Sequence, residues 1–415
     1  MRKQIITAAV IASCAGTTSA FAVDIGPDTT VGGVAFFDFS YIKLQNENAA
    51  GTKVDTPPTG VGFDVKRFYL IVNHKFSDVW AANLTTDAQY STASTATVVT
   101  PPATTGGATG TTTALTSQTT SGGVTEVMIK KLYLEGKFNP GFVLRVGAAD
   151  TPWIPWVEGL YGNRYVEKIP IDRLGFGNSA DWGLNALGSL GDKDFFTYSA
   201  SVLNGGGYKN PTRTDKVDFE GRVGLKFIDW LQLGAGFYSG HLGQVTATNK
   251  DFPTNTATRY DLIAVANFTG LKVGVEFFQA KNYKTVNNAT TAAYGTSSIV
   301  GTTATAIPVA DKADGGMAFA SFTFSDQWSV FGRYDDVKLS KDVATDLKDQ
   351  YANVGVDYKP IKPLDFALVY KHEKVSSGST SISSGNANGS YTIGGANHLR
   401  EGTFDEFGVY VQYRF

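Results

Sequence analysis

The sequence predicts an all-β fold, a sixteen-stranded antiparallel transmembrane β-barrel, and three observations carry that expectation. The first is the C-terminal run FDEFGVYVQYRF, Phe404 to Phe415. Phe407, Val409, Val411, Tyr413 and Phe415 fall on one face of an extended strand, with Glu406, Gly408, Tyr410, Gln412 and Arg414 on the other. A greasy outer face over a polar inner one suits a wall between lipid and water. A soluble antiparallel sheet alternates too, so the period needs support. The second observation is an export signal: basic Arg2 and Lys3, an apolar stretch from Ile5 to Ala12, and the cleavage motif Ala20-Phe21-Ala22. It predicts residues 1–22 as a removed leader and 23–415 as the barrel domain. The third is the alternation of tight turns with long polar connections along the chain.

Taken in order, period-two segments lie near 30–43, 62–76, 79–90, 124–138, 142–150, 181–190, 194–203 and 216–228. They continue near 230–241, 258–269, 271–283, 315–325, 327–338, 350–359, 363–374 and 404–415. Tight turns are expected at Ser77-Asp78, Asn139-Pro140-Gly141, Gly191-Asp192-Lys193, Ile228-Asp229, Gly270, Asp326 and from Lys359 to Lys362. Between them run the long segments 44–61, 91–123, 151–180, 204–215, 242–257, 284–314, 339–349 and 375–403. Short periplasmic turns and long extracellular loops are what such a barrel needs, and an even strand number closes it without an edge. The uncharged Thr/Ser/Gly/Ala loop 91–123 reads as a bland surface loop, or as a glycosylated or adhesive one.

Composition narrows the class further. The chain holds 46 Gly, 27 Phe and 19 Tyr, and no run of eighteen apolar residues follows the leader. A net charge of −2 gives no sign of a nucleic-acid partner. Cys14, the lone cysteine, lies in the leader, where two readings stand: an ordinary leader residue, or the lipidated residue of Ile11-Ala12-Ser13-Cys14. No clustered His/Cys set points to a metal or cofactor. His74, His241, His372 and His398 are scattered, and neither G-x-S-x-G nor a Walker loop occurs, so an enzyme is not expected.

The alternation also sorts the inner face. Arg67, Tyr69, Asn73 and Lys75 turn inward on the second strand, Lys131, Tyr133, Glu135 and Lys137 on the fourth, and Arg145 on the fifth. Later strands turn in Arg222, Lys226, Arg259, Lys272, Arg333, Lys371 and Arg414, with carboxylates from Asp38 to Glu406. A dry core does not accept so many ionised groups, so the interior is expected to hold water and act as a channel. The stretch 66–70, KRFYL, is similar to 130–134, KKLYL.

The third long segment, 151–181, is the most distinctive. It carries Trp153, Trp156, Tyr161, Tyr165 and Phe176, three prolines, and Glu158, Arg164, Glu167, Lys168, Asp172 and Arg173. A solvated tip has little use for these aromatics, so the segment is expected to fold into the barrel and bring Arg164, Lys168 and Arg173 to a constriction. Two other readings stand: charges that merely pair among themselves, or an interface with a partner. Leu144 to Gly205, with LRVGAADTPW, DRLGFGNSADWGLNALG and FFTYSASVLNGG, resembles the phosphate-selective porin family (the O and P type), as does the Lys66-Arg67 pair. That resemblance implies a homotrimeric sixteen-stranded channel, with outer-membrane lipid and lipopolysaccharide around it and small ions or solutes in transit. It implies anion contact at Arg67, Lys131, Arg145, Arg164 and Arg173, while the nearly balanced lumen charge argues against strong phosphate selectivity. The general trimeric porins are a near alternative. The competing function is a structural or adhesive barrel without a large open pore.

Overall fold

The computed structural model describes residues 23–92, 123–244, 256–283, 310–382 and 390–415. The expected leader with Cys14, and most of the Thr-rich loop, lie outside the described residues. Sixteen wall strands follow in chain order: β1 Thr29–Glu47, β2 Lys53–Lys75, β3 Trp80–Thr92, β4 Gly123–Asn139, β5 Phe142–Asp150, β6 Ala180–Leu190, β7 Phe196–Leu203 and β8 Asp218–Ile228. They continue with β9 Leu231–Gly240, β10 Ala257–Asn267, β11 Leu271–Lys281, β12 Lys312–Thr323, β13 Trp328–Lys338, β14 Lys348–Ile361, β15 Leu364–Ser376 and β16 Gly402–Arg414. Each pairs antiparallel with the next, and β16 pairs back onto β1 from Gly402↔Asn46 to Arg414↔Val34, which closes the cylinder. A four-residue strand, Val23–Gly26, folds back on the start of β1. The connection between β15 and β16 carries a small hairpin, Ser379–Ile382 with Tyr391–Gly394.

Every expected wall strand is present, with one large change of boundary. The segment 44–61 was expected to be a long polar loop, but β1 and β2 run on through it and leave only 48–52 as a turn. Its polar and Pro-rich composition suggests a loop; tertiary pairing overrides that, because the register jumps from Ile42↔Gly60 to Leu44↔Thr56 and sets Pro57, Pro58 and Thr59 outside the ladder. The freed Leu44 N–H donates to Thr59 Oγ1 at 2.9 Å.

The outer face is apolar on every side. Phe407, Val409 and Tyr413 on β16, Phe63 and Val65 on β2, and Leu132 and Leu134 on β4 are exposed, as the alternation requires. Aromatic side chains gather beside the short turns, where Trp80 meets Phe138 at 5.8 Å, Trp230 stacks on Phe268 at 5.2 Å and Trp328 meets Tyr358 at a tilt at 4.4 Å. Such a girdle marks the lipid–water boundary of a membrane barrel. Terminal Phe415 locks the seam: its backbone exchanges hydrogen bonds with Gly33 at 2.8 and 3.0 Å, and its ring lies over that glycine, where a Cβ would be 2.4 Å from Cζ.

Two β-bulges alter the inner face. Phe36 pairs with Arg67 and Phe37 with Val65, so Lys66 is the extra residue; Thr85 pairs with Lys131 and Thr86 with Ile129, so Lys130 is extra. Each bulge re-aims a side chain that strict alternation would send to lipid. Both members of each basic pair, Lys66-Arg67 and Lys130-Lys131, therefore point into the lumen. The similarity of KRFYL to KKLYL thus has a shared structural meaning.

Candidate functional site

The segment between β5 and β6 folds into the barrel. It begins with helix α1, Ile154–Tyr161, and later makes one turn, α2, Pro170–Arg173. Pro155 at the start of α1 needs no N–H there, and Gly162 (φ 88°) ends the helix in a left-handed conformation that favours glycine. Lys272 of β11 donates to the carbonyls of Leu160 and Tyr161 at 3.1 and 2.8 Å, placing a cation at the negative end of α1.

The wall leaves room for this helix. Gly234 and Gly236 of β9 face inward, and a Cβ on them would come within 2.3 Å of the Trp156 ring and 2.4 Å of the Trp153 ring. Trp153 is wholly buried; its backbone N–H donates to Glu220 at 3.3 Å and its indole N–H to Glu276 at 2.8 Å. Tyr161 packs edge-on against Phe319 at 5.3 Å, and Phe176 meets Phe278 at the same distance. Tyr165 donates its hydroxyl to Asp357 at 2.8 Å.

These contacts correct part of the expected constriction. Arg173 has no exposed surface: it bonds Asp349 at 2.7 Å, Asp335 at 3.4 Å and Glu373, with its guanidinium 4.6 Å from the Tyr351 ring. It is an anchor, because three carboxylates on β13, β14 and β15 converge on it. Arg222 and Arg333 point inward as expected, but the segment covers both. Arg222 lies 4.3 Å over Trp156 and donates to the Pro152 carbonyl at 3.0 Å, while Arg333 sits 5.0 Å from the Tyr161 ring and pairs with Asp335 at 2.6 Å. Bulky loop residues stand in front of them.

The remaining expected residues gather on the other side. Arg164 bonds Glu158 at 2.6 Å and lies 3.9 Å from Asp172, which Lys168 reaches at 3.5 Å. Facing them from the wall are Arg67, 3.6 Å from Asp87, and Lys131, 2.5 Å from Asp150; Arg145 bonds Glu135 at 2.8 Å. Sequence reasoning missed Lys66 and Lys130 as lumen residues because period two cannot signal a bulge; the paired basic residues were the available clue. Lys130 donates to the Tyr69 hydroxyl at 3.2 Å and lies 4.6 Å from its ring. Lys66 bonds Asp38 at 2.8 Å.

Electrostatics in the inward segment follow from burial and neighbours. Burial pushes the Lys168 ammonium down to about 8; Asp172 opposes the shift, and Arg67 and Arg164 reinforce it. Burial pushes Glu158 up, against the pull of Arg164. Asp172 is held below its ordinary value despite burial, because Lys168 and Arg164 stand beside it.

The extracellular half of the lumen holds an apolar core. Ile42, Leu44, Phe404, Leu347 and Val375 join Ile382, Tyr391 and Ile393 of the hairpin, and Tyr391 stacks on Phe404 at 4.8 Å. The expectation of water throughout the interior is corrected here, since the hairpin brings in apolar side chains of its own. Toward the short turns a cavity of about 430 Å³ opens between α1 and the strands around it, lined among others by Lys130, Lys131, Arg164 and Glu158. Among the described residues no His, Cys, Asp and Glu group is arranged to hold a metal.

No protein-family model matches this chain, and no curated protein matches it at a significant level. Solved structures do match. An anion-selective porin from Comamonas acidovorans superposes with a TM-score of 0.57 at 14% identity, over 93% of this chain and 99% of that one. OmpT, an outer membrane protein of Vibrio cholerae folded in vitro, gives 0.55 at 13% identity over 95% and 100% of the two chains. Salmonella typhi OmpF in complex with daunomycin gives 0.55 at 10% over 95% and 100%. At these identities the likeness is one of architecture: this chain has the fold of the outer-membrane porin barrels, from one end of their length to the other.

Proposed function

We propose that this barrel is an outer-membrane channel for passive diffusion of small hydrophilic solutes and ions, with a preference for anions. One observation carries the reading: the inward segment is held against the β8–β15 side by carboxylates, so the polar space left is bordered by Lys130 and Lys131 of the wall and Arg164 of the segment, with Arg67 and Lys168 buried close to Arg164. An anion in that space meets guanidinium and ammonium groups at short range in a medium less polar than bulk water. Glu158, Asp172 and Arg145 are part of the proposed constriction, as the charges that set its balance. Arg173, Arg222 and Arg333 act behind it by holding the segment. The resemblance to phosphate-selective porins enters as one arm of the test, and a homotrimer is the assembly it implies.

The experiment is planar-bilayer conductance of the refolded protein in a KCl gradient, followed by titration with phosphate. A reversal potential of anion sign supports the reading, and block by phosphate supports the narrower one. Equal permeabilities reduce it to unselective diffusion. A second reading, a structural or adhesive barrel without a large open pore, is favoured by the apolar core under the hairpin. An electrically silent membrane would select it.

A further inference from the structure

The inner wall carries an apolar strip where alternation calls for polar residues. Val34 and Phe36 on β1, and Ile71 on β2, face the lumen beside Tyr69, whose ring meets Phe36 edge-on at 6.0 Å. Across the same cavity stand Trp156 and Leu160 of α1. Its volume, about 430 Å³, lies within the ~300–1,000 Å³ typical of small-molecule sites.

The charged part of the lining has six Lys or Arg side chains and three carboxylates, and Lys131, Arg164, Lys193 and Arg414 are each paired with a carboxylate. Two of those carboxylates are already held, Asp150 by Lys131 at 2.5 Å and Glu158 by Arg164 at 2.6 Å. Lys130 differs. It is 9% exposed, borders the cavity, and among the described residues has no carboxylate within ion-pair distance; its hydrogen bond goes to the Tyr69 hydroxyl at 3.2 Å. A buried ammonium bonded to a neutral phenol has capacity for a charged acceptor.

We propose that this cavity is a binding site for small amphipathic anions, carboxylates that carry an aromatic or branched apolar body. The carboxylate takes the Lys130 ammonium, and the body lies between Phe36 and Ile71 on one side and Trp156 on the other. A compact, strongly hydrated anion such as phosphate or acetate gains charge contact there but no apolar contact. Nonpolar burial therefore discriminates among anions that the basic wall alone would treat alike. This inference rests on the channel reading only for its electrical readout.

The test adds benzoate, acetate or phosphate, at equal ionic strength and pH, to the refolded protein in a planar bilayer and measures the half-blocking concentration of each. Benzoate is expected to block at a concentration about tenfold lower than acetate, given the ring face it buries. Within each of the variants Phe36→Asn and Ile71→Thr, the benzoate-to-acetate ratio should fall by about fivefold. Lys130→Met should weaken block by every anion. Equal block by benzoate and acetate in the wild type, or an unchanged ratio in both apolar-strip variants, overturns the site while leaving the channel intact. If the bilayer stays silent, the channel reading fails, and calorimetric titration of benzoate and acetate into the detergent-solubilised protein, corrected for empty micelles, decides the site. Preferential saturable uptake of benzoate supports it; equal uptake removes it.

Discussion

The two sides of the lumen are built from the same alternating strands and reach different ends. On the β8–β15 side inward carboxylates outnumber inward cations, and they hold the central segment: Glu220 and Glu276 take the two N–H groups of Trp153, Asp357 takes Tyr165, and three more take Arg173. On the β2–β5 side Arg67, Lys131 and Arg145 are paired with Asp87, Asp150 and Glu135, and the bulges at Lys66 and Lys130 add a further cation beside Arg67 and Lys131. A lumen of balanced formal charge is thus polarised by use. Carboxylates committed to anchoring no longer face a solute, and the difference teaches that counting inward charges does not measure the field of a pore.

Arg173→Ala tests the anchoring side and should have the largest effect. It leaves Asp335, Asp349 and Glu373 facing one another without their arginine, a loss of about 3–5 kcal/mol for breaking a buried cluster. The segment should detach, lowering the temperature of the heat-induced gel shift and raising single-channel conductance. Unchanged conductance together with unchanged stability would remove the anchoring account. Gly234→Leu attacks the same side without touching a charge, since its side chain competes with Trp156 for one place. A cost of about 1–3 kcal/mol is expected from overpacking, with larger and noisier channel openings.

The basic side is sharpened by Lys130→Glu, which should lower the anion-to-cation permeability ratio by about tenfold, read from the reversal potential in a KCl gradient. Glu276→Gln on the opposite wall should move that ratio by less than about twofold, because Glu276 is already engaged with Trp153. Similar shifts in both variants would show that the two sides do not differ. The smallest effect concerns pH. Lys168, pushed down to about 8 chiefly by burial, is charged below that value and neutral above it. Anion preference should therefore fall as pH rises from 7 to 9.5, and Lys168→Met should flatten the profile. A wild-type profile that is already flat would place Lys168 outside the path.

Legibility from sequence followed the reach of each signal. Period two found the wall strands because lipid on one side and polar groups on the other constrain every second residue. The same rule missed the outer ends of β1 and β2, residues 44–47 and 53–61, where the strands pass beyond that constraint. The aromatic, proline-stiffened segment 151–181 announced that it would pack inside, since Trp153 and Trp156 require burial. Which of its charges would face the cavity was not legible. Arg164 and Arg173 look alike in sequence, yet one lines the cavity and the other is enclosed by partners lying 162 to 200 positions away.

Local alternation, terminal aromatics and turn spacing determined by themselves that this chain closes into a greasy cylinder with a charged interior and a segment folded inward. Those features act between neighbours along one strand or across one turn, where residue type alone is decisive. The tertiary structure decided which carboxylates become anchors, which cations remain beside the open space, and where an apolar strip interrupts the inner face. Each of those depends on side chains converging from strands far apart in the chain, and on two single-residue bulges whose position only the pairing register reveals.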